Sequence, residues 1–111
     1  MKTDRELLEL AAKAVGAEWS DYPDRTPNHW EMEKPDGVWS VWNPLTDDGD
    51  ALRLAAKLRL TISPGKHKGD GCTVEAPRGI APGCTAFRDD DAEQMRYAIV
   101  HVAASIGETM P

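Results

Sequence analysis

The sequence contains no apolar stretch long enough to cross a membrane. A spanning helix needs roughly 20 consecutive apolar residues, and no stretch of that length is free of Asp, Glu, Lys and Arg. A secretory leader needs an apolar core near its start, but charged residues occupy positions 2, 4, 5, 6 and 9. We therefore expect no membrane association and a cytoplasmic location.

Cysteine is scarce, because Cys72 and Cys84 are the only two in 111 residues. They form no Cys-x-x-Cys pair and no His-rich tract accompanies them, so no zinc site is indicated. In a cytoplasm both thiols stay reduced. We expect two small, half-buried side chains, and a disulfide between neighbouring strands is the alternative under oxidising conditions.

Enzyme signatures are missing as well. No Gly-x-Ser-x-Gly sequence surrounds a serine, and no Ser-His-Asp or Cys-His arrangement can be read from the spacing. The loop Gly65–Gly69 contains two lysines and a histidine, but it lacks the Gly-x-x-x-x-Gly-Lys-Ser/Thr pattern of a phosphate-binding loop. We expect a protein that is not an enzyme and that has no cofactor.

Positive charge is in deficit, with 13 Lys and Arg against 19 Asp and Glu and a formal net charge of −6. Because nucleic acids are held mainly by basic residues that neutralise phosphates, a nucleic-acid partner is not expected. An acidic chain can instead occupy a basic site on a protein partner.

The segment with the most information is Trp39–Leu58, which combines a strand, a turn and a helix. Pro44 restricts the residue before it to extended geometry and cannot donate to a sheet, so the strand ends there. The run Thr46–Asp50 offers side-chain oxygens that cap a helix and suit the positive end of its dipole. An apolar stripe then follows at helical spacing: Ala51, Leu54, Ala55 and Leu58.

Two further helices and a set of strands are predicted around this segment. Thr3 and Glu6 form a capping box for the first helix, and Gly16 is a natural stop. The last helix begins at Asp89–Asp91 and is expected to end at Gly107. Alternation and turn residues predict strands at Ala17–Ser20, Trp30–Glu33, Val38–Trp42, Leu60–Ser63, Cys72–Ala76 and Thr85–Arg88. Loops are predicted at Asp21–Asn28, Pro64–Gly71 and Pro77–Gly83. The order predicts one α+β domain over residues 1–111, with an antiparallel or mixed sheet and three helices packed on it.

Candidate binding residues come from three groups. Tryptophan supplies four of the seven aromatic residues; two or three are expected in the core, and an exposed pair would form a stacking platform or an interface. The carboxylates of Asp47, Asp48 and Asp50 suit a hard cation, but they lack the spacing of a calcium loop, so capping is the preferred interpretation and no metal is expected. The loop residues Lys66, His67 and Lys68 could contact an anion, although a solvated loop explains them more simply.

Two segments resemble the phage ABA sandwich domain family of small tailed-phage and prophage proteins. They are Trp42–Leu58 (WNPLTDDGDALRLAAKL) and, less specifically, Arg96–Gly107 (RYAIVHVAASIG), together about a quarter of the chain. The resemblance implies a three-layer α/β/α sandwich and a phage or prophage origin. The family offers no established catalytic residues to transfer to this chain.

Three functions are considered. The first is a phage accessory protein that binds a host or phage protein in the host cytoplasm, through a contact surface of Trp30, Trp39, Trp42, Asp47 and Asp48. The second is a small-ligand protein in which tryptophans stack a nucleotide base while Lys66, Lys68 or Arg78 meets phosphate. The third is a nucleic-acid-associated protein, whose binding would weaken steeply with salt.

Overall fold

The computed structural model describes residues 2–20 and 29–110. Within these ranges the chain forms three α-helices, six short strands and one 3-10 turn. The helices are α1 (Asp4–Val15), α2 (Asp48–Leu58) and α3 (Asp91–Thr109), and the 3-10 turn spans Pro77–Gly79. The strands are β1 (Glu18–Ser20), β2 (His29–Glu33), β3 (Trp39–Val41), β4 (Thr61–Ser63), β5 (Cys72–Glu75) and β6 (Cys84–Ala86). The predicted loop over residues 21–28 lies outside the described residues.

The helices begin where the sequence predicts them to begin. The Thr3 hydroxyl accepts the Glu6 N–H, and the Glu6 carboxylate accepts the Thr3 N–H, which completes the capping box of α1. The carboxylates of Asp47 and Asp90 cap α2 and α3 by accepting the N–H groups three residues further on. These bonds satisfy donors that a helix start leaves unpaired. Gly16 ends α1 in the left-handed conformation at φ 78°.

The predicted α+β class with three helices is confirmed, but the strands form two antiparallel sheets of three rather than the single sheet that the sequence predicted. The first sheet has the order β1-β2-β3 and the second has the order β4-β5-β6. The turn between β2 and β3 is closed by the Gly37 N–H, which donates to the Lys34 carbonyl at 2.8 Å. The chain divides its strands in this way because Pro44 stops the first sheet and α2 follows before β4 begins.

Helix α3 lies at the centre of the core. It packs against α1, α2, β5 and β6, and its middle residues Val100, Val102 and Ala103 have no exposed surface. The predicted end of this helix at Gly107 is wrong, because α3 continues to Thr109. A Cβ on Gly107 would lie 1.9 Å from the Leu10 carbonyl oxygen. The glycine therefore serves the close crossing of α1 and α3 rather than the end of a helix.

Within the described ranges, none of the helices combines the length and the apolar content needed to cross a bilayer.

Candidate functional site

Three tryptophans occupy a single row across the first sheet. Trp19 of β1 pairs with Trp30 of β2, and the Trp42 N–H just after β3 donates to the Trp30 carbonyl at 2.8 Å. Because side chains alternate along a strand, these three indoles share one face of the sheet. Trp39 lies three residues before Trp42 and therefore projects from the opposite face. The sheet thus presents two different aromatic surfaces.

The outer face carries an exposed apolar pair on its edge strand. The side chains of Trp39 and Val41 are 43% and 56% exposed. Glu33 lies directly opposite Trp39 and Glu31 lies directly opposite Val41, both on the central strand β2. We call these four residues the β3 surface. It combines apolar area with two carboxylates.

Strand β3 is also open at its outer edge within the part of the chain that the structure describes. The Lys34 N–H donates to the Val38 carbonyl, and Trp42 donates to Trp30, so the even-numbered residues direct their backbone groups to β2. In an antiparallel pair the intervening residues direct theirs away. The N–H and C=O groups of Trp39 and Val41 therefore point outwards from the sheet.

The inner face borders a cleft of about 550 Å³, which we call the inner cleft. Trp19 and Trp30 form an edge-to-face pair in it, with centroids 5.2 Å apart and planes at 69°. The described lining is completed by the start of α1 and by residues around β3: Arg5, Leu8, His29, Val41, Trp42 and Asn43.

The prediction that Trp42 belongs to an exposed contact surface is wrong. Its indole is only 2% exposed, because Pro44 ends the strand at this point and the chain turns inward to begin α2. The Trp42 Nε1 atom is buried and donates no hydrogen bond to the described residues. Trp30 is also turned to the inner side, so Trp39 is the predicted tryptophan that lies on the outer face.

The predicted acidic residues take separate positions. Asp47 caps α2 and shares a shallow depression with Val41, beside the β3 surface. Asp48 pairs with Arg96 of α3 and lines a different groove, between α2 and α3. The structure therefore places Asp47 near the predicted contact surface and Asp48 away from it.

Asp50, interpreted from the sequence as one of several capping residues, is a buried ion-pair centre. Its side chain is 4% exposed and accepts hydrogen bonds from Lys34 Nζ, from Arg53 Nη2 at 2.8 Å and from the Asn43 N–H at 3.0 Å. Burial raises the pKa of Asp50, but the hydrogen bonds from Lys34, Asn43 and Arg53 together outweigh it and leave the pKa below its ordinary value. This carboxylate joins the first sheet to α2.

The basic loop is exposed and lies apart from the tryptophans. The Asp70 carboxylate accepts the N–H groups of Lys66 and His67 at 3.1 and 2.8 Å, which closes the turn. Lys66, His67 and Lys68 line a small depression near the start of α3. The described lining of this depression contains no tryptophan. The arrangement of stacking tryptophans with these lysines is therefore not found.

Both cysteines are free thiols. Cys72 is buried and Cys84 is half-buried, on the adjacent strands β5 and β6. Their register pairs Cys72 with Ala86 and Cys84 with Val74, so the thiols are diagonal neighbours on one face. Burial raises the pKa of both thiols, and the neighbouring Cys84 raises that of Cys72 further.

Sequence reasoning missed Trp19 and Arg5 as site residues. The turn at residues 34–37 fixes the register that pairs Trp30 with Trp42. The position of these two tryptophans side by side could therefore be predicted from the sequence. No comparable signal existed for Trp19, because the register of β1 depends on the segment 21–28. Arg5 was counted only as a charge, since nothing in its neighbourhood indicates which sheet α1 would meet.

Within residues 2–20 and 29–110, no three His, Cys, Asp or Glu side chains come together as a metal site. Comparison of the chain with protein-family models, with curated proteins and with solved structures gives no match. The features that stand out are the two aromatic surfaces on opposite faces of the first sheet.

Proposed function

We propose that the protein is a non-enzymatic phage or prophage accessory protein, which binds a host or phage protein through the β3 surface. The observation that carries this proposal is the exposure of Trp39 beside Val41 on an open edge strand. Large aromatic side chains at the centre of an apolar patch are the residues that most often dominate protein interfaces. Both side chains remain accessible although a buried core exists on the other side of the sheet.

The open edge favours an extended segment of the partner. Outward N–H and C=O groups on Trp39 and Val41 can pair with an added strand, a common mode of peptide recognition. Edge strands are otherwise a liability, which proteins limit by charge. Here Glu31 and Glu33 supply that charge beside the apolar pair, so they disfavour indiscriminate pairing of edges.

The charge of this surface favours a partner segment that contains Lys or Arg. Glu31 and Glu33 lie beside the apolar pair, Asp47 lies next to it, and the whole chain has a net charge of −6. Complementary charge steers such partners together and rejects acidic ones. We therefore expect association to slow as salt concentration rises.

The phage context rests on the resemblance of Trp42–Leu58 and Arg96–Gly107 to the phage ABA sandwich domain family. In this structure the first segment begins directly after β3 and contains the whole of α2, and the second forms most of α3. The resembling residues therefore have roles in folding, which is why the contact surface is sought outside them, at Trp39.

The test is quantitative capture of one partner from phage-infected host lysate by tagged protein, followed by binding of the purified partner. Trp39→Ala should raise the dissociation constant about thirtyfold. This corresponds to a loss of roughly 2 kcal/mol of binding free energy, as expected for a central interface residue. Leu52→Ala is the matched control, because Leu52 is 66% exposed on α2. The melting temperatures of both variants should match that of the wild type.

Two results would contradict the proposal. One is a partner that binds Trp39→Ala as tightly as it binds the wild type. The other is the absence of any stoichiometric partner in both uninfected and infected lysates.

A further inference from the structure

We infer that the inner cleft is a binding site for a small planar aromatic anion of the nucleoside monophosphate class. This inference uses Trp19 and Trp30 rather than Trp39, although Val41 belongs both to the β3 surface and to the lining of the inner cleft. It rests on the shape of the aromatic wall, the charge of the lining and one buried donor.

The wall of the cleft is formed by two tryptophans at different depths. Trp19 is 41% exposed and Trp30 is partly buried, and the two indoles meet edge to face. Two rings at 69° enclose an angle in which a flat ring can lie against one indole while its edge meets the other. Stacking on an aromatic side chain favours the binding of a nucleobase, because every base has a flat π-face.

The charge of the lining selects an anion. Arg5 borders the cleft and makes no ion pair or hydrogen bond with other described residues, and the described lining contains no carboxylate. A guanidinium pairs well with phosphate, whereas it repels the quaternary ammonium ligands that aromatic cages otherwise take.

Two residues in the lining of the inner cleft, Trp42 and Asn43, carry side-chain N–H donors. The Trp42 Nε1 atom is buried without an acceptor among the described residues, and leaving such a donor unpaired is unfavourable. The Asn43 side-chain oxygen accepts the Leu45 N–H at 3.1 Å, which leaves its NH₂ group as a further donor. A base with carbonyl or ring-nitrogen acceptors meets these requirements, and a volume of about 550 Å³ lies within the range of small-molecule sites.

The test is isothermal titration of the full chain with guanosine 5′-monophosphate, with guanosine and inorganic phosphate as separate probes. We expect saturable binding of the monophosphate, weaker binding of guanosine and none of phosphate alone. Arg5→Gln should weaken binding of the monophosphate at least tenfold. Trp19→Ala should weaken both the monophosphate and guanosine, because it removes the stacking wall.

The matched control is Arg59→Gln, since Arg59 is an exposed arginine that does not line the inner cleft. It should leave binding unchanged. The inference is overturned if the monophosphate shows no saturable binding up to about 5 mM, a free energy near −3 kcal/mol. It is also overturned if Arg59→Gln weakens binding while Arg5→Gln does not, which would place phosphate outside the inner cleft.

Discussion

Replacing Asp50 by alanine should destabilise the protein far more than replacing any of its acidic neighbours. The substitution leaves Lys34, whose side chain is 18% exposed, without its carboxylate. It also leaves the Asn43 N–H without an acceptor. Removing one partner of a buried ion pair costs about 3–5 kcal/mol. Arg53 adds less than about 1 kcal/mol, because it is 47% exposed and solvent can replace the carboxylate.

We therefore expect Asp50→Ala to lower the free energy of unfolding by about 3–4 kcal/mol, measured by urea denaturation. Asp48→Ala is the matched control from the same helix turn. Its side chain is 75% exposed, so its pairing with Arg96 contributes at most about 1 kcal/mol. A loss from Asp50→Ala no larger than that from Asp48→Ala would refute the assignment of Asp50 as an ion-pair centre.

The pH dependence gives an independent check on the same carboxylate. The pKa of Asp50 is below its ordinary value in the folded chain. Its stabilising contribution is therefore complete above the unfolded pKa, about 3.9, and is lost as pH falls through the lower folded pKa. Asp50→Asn removes this titration, so the difference in stability between wild type and Asp50→Asn should be constant near neutral pH and should shrink below about pH 4. A difference that stays constant down to pH 2 would contradict the shift.

Two further predictions concern the core. Gly107→Ala should cost about 3 kcal/mol or more, because its Cβ would overlap the Leu10 carbonyl oxygen. By contrast, Gly49→Ala should change urea stability by less than about 1 kcal/mol, because its Cβ would meet only side-chain ends, those of Arg53 at 3.2 Å and Asp47 at 3.3 Å. Because burial raises the pKa of both Cys72 and Cys84, a colorimetric thiol reagent at pH 7 should modify the native protein slowly and the urea-unfolded protein rapidly; equal rates would show that the thiols are accessible.

Local signals in the sequence were sufficient to predict the helices and strands and the α+β fold class. Capping bonds depend on residues three positions apart, which is why Thr3, Asp47 and the start of α3 could be located. The turn at residues 34–37 is equally local. These interactions are completed within one turn of chain, so their geometry is fixed before distant parts of the protein meet.

The roles that depend on distant contacts could not be predicted in the same way. Gly107 has the sequence context of a helix end, and only the approach of α1 shows that it serves helix packing. Asp50 has the context of a capping residue, but Lys34 reaches it across 16 positions. Trp42 looks like any other strand tryptophan until the chain turns inward after it. In each case the deciding neighbour is remote in sequence.

The crossing of α1 and α3 also determines when the protein can fold during synthesis. Lys13 of α1 donates to the Met110 carbonyl at 2.8 Å, a contact across 97 positions. At about 5–20 residues per second, the ribosome needs roughly 5–20 s to make the chain between the end of α1 and Gly107. During that time the apolar face of α1 has no α3 to cover it. The folded arrangement of the two helices is therefore reached only after the last helix has emerged from the ribosome.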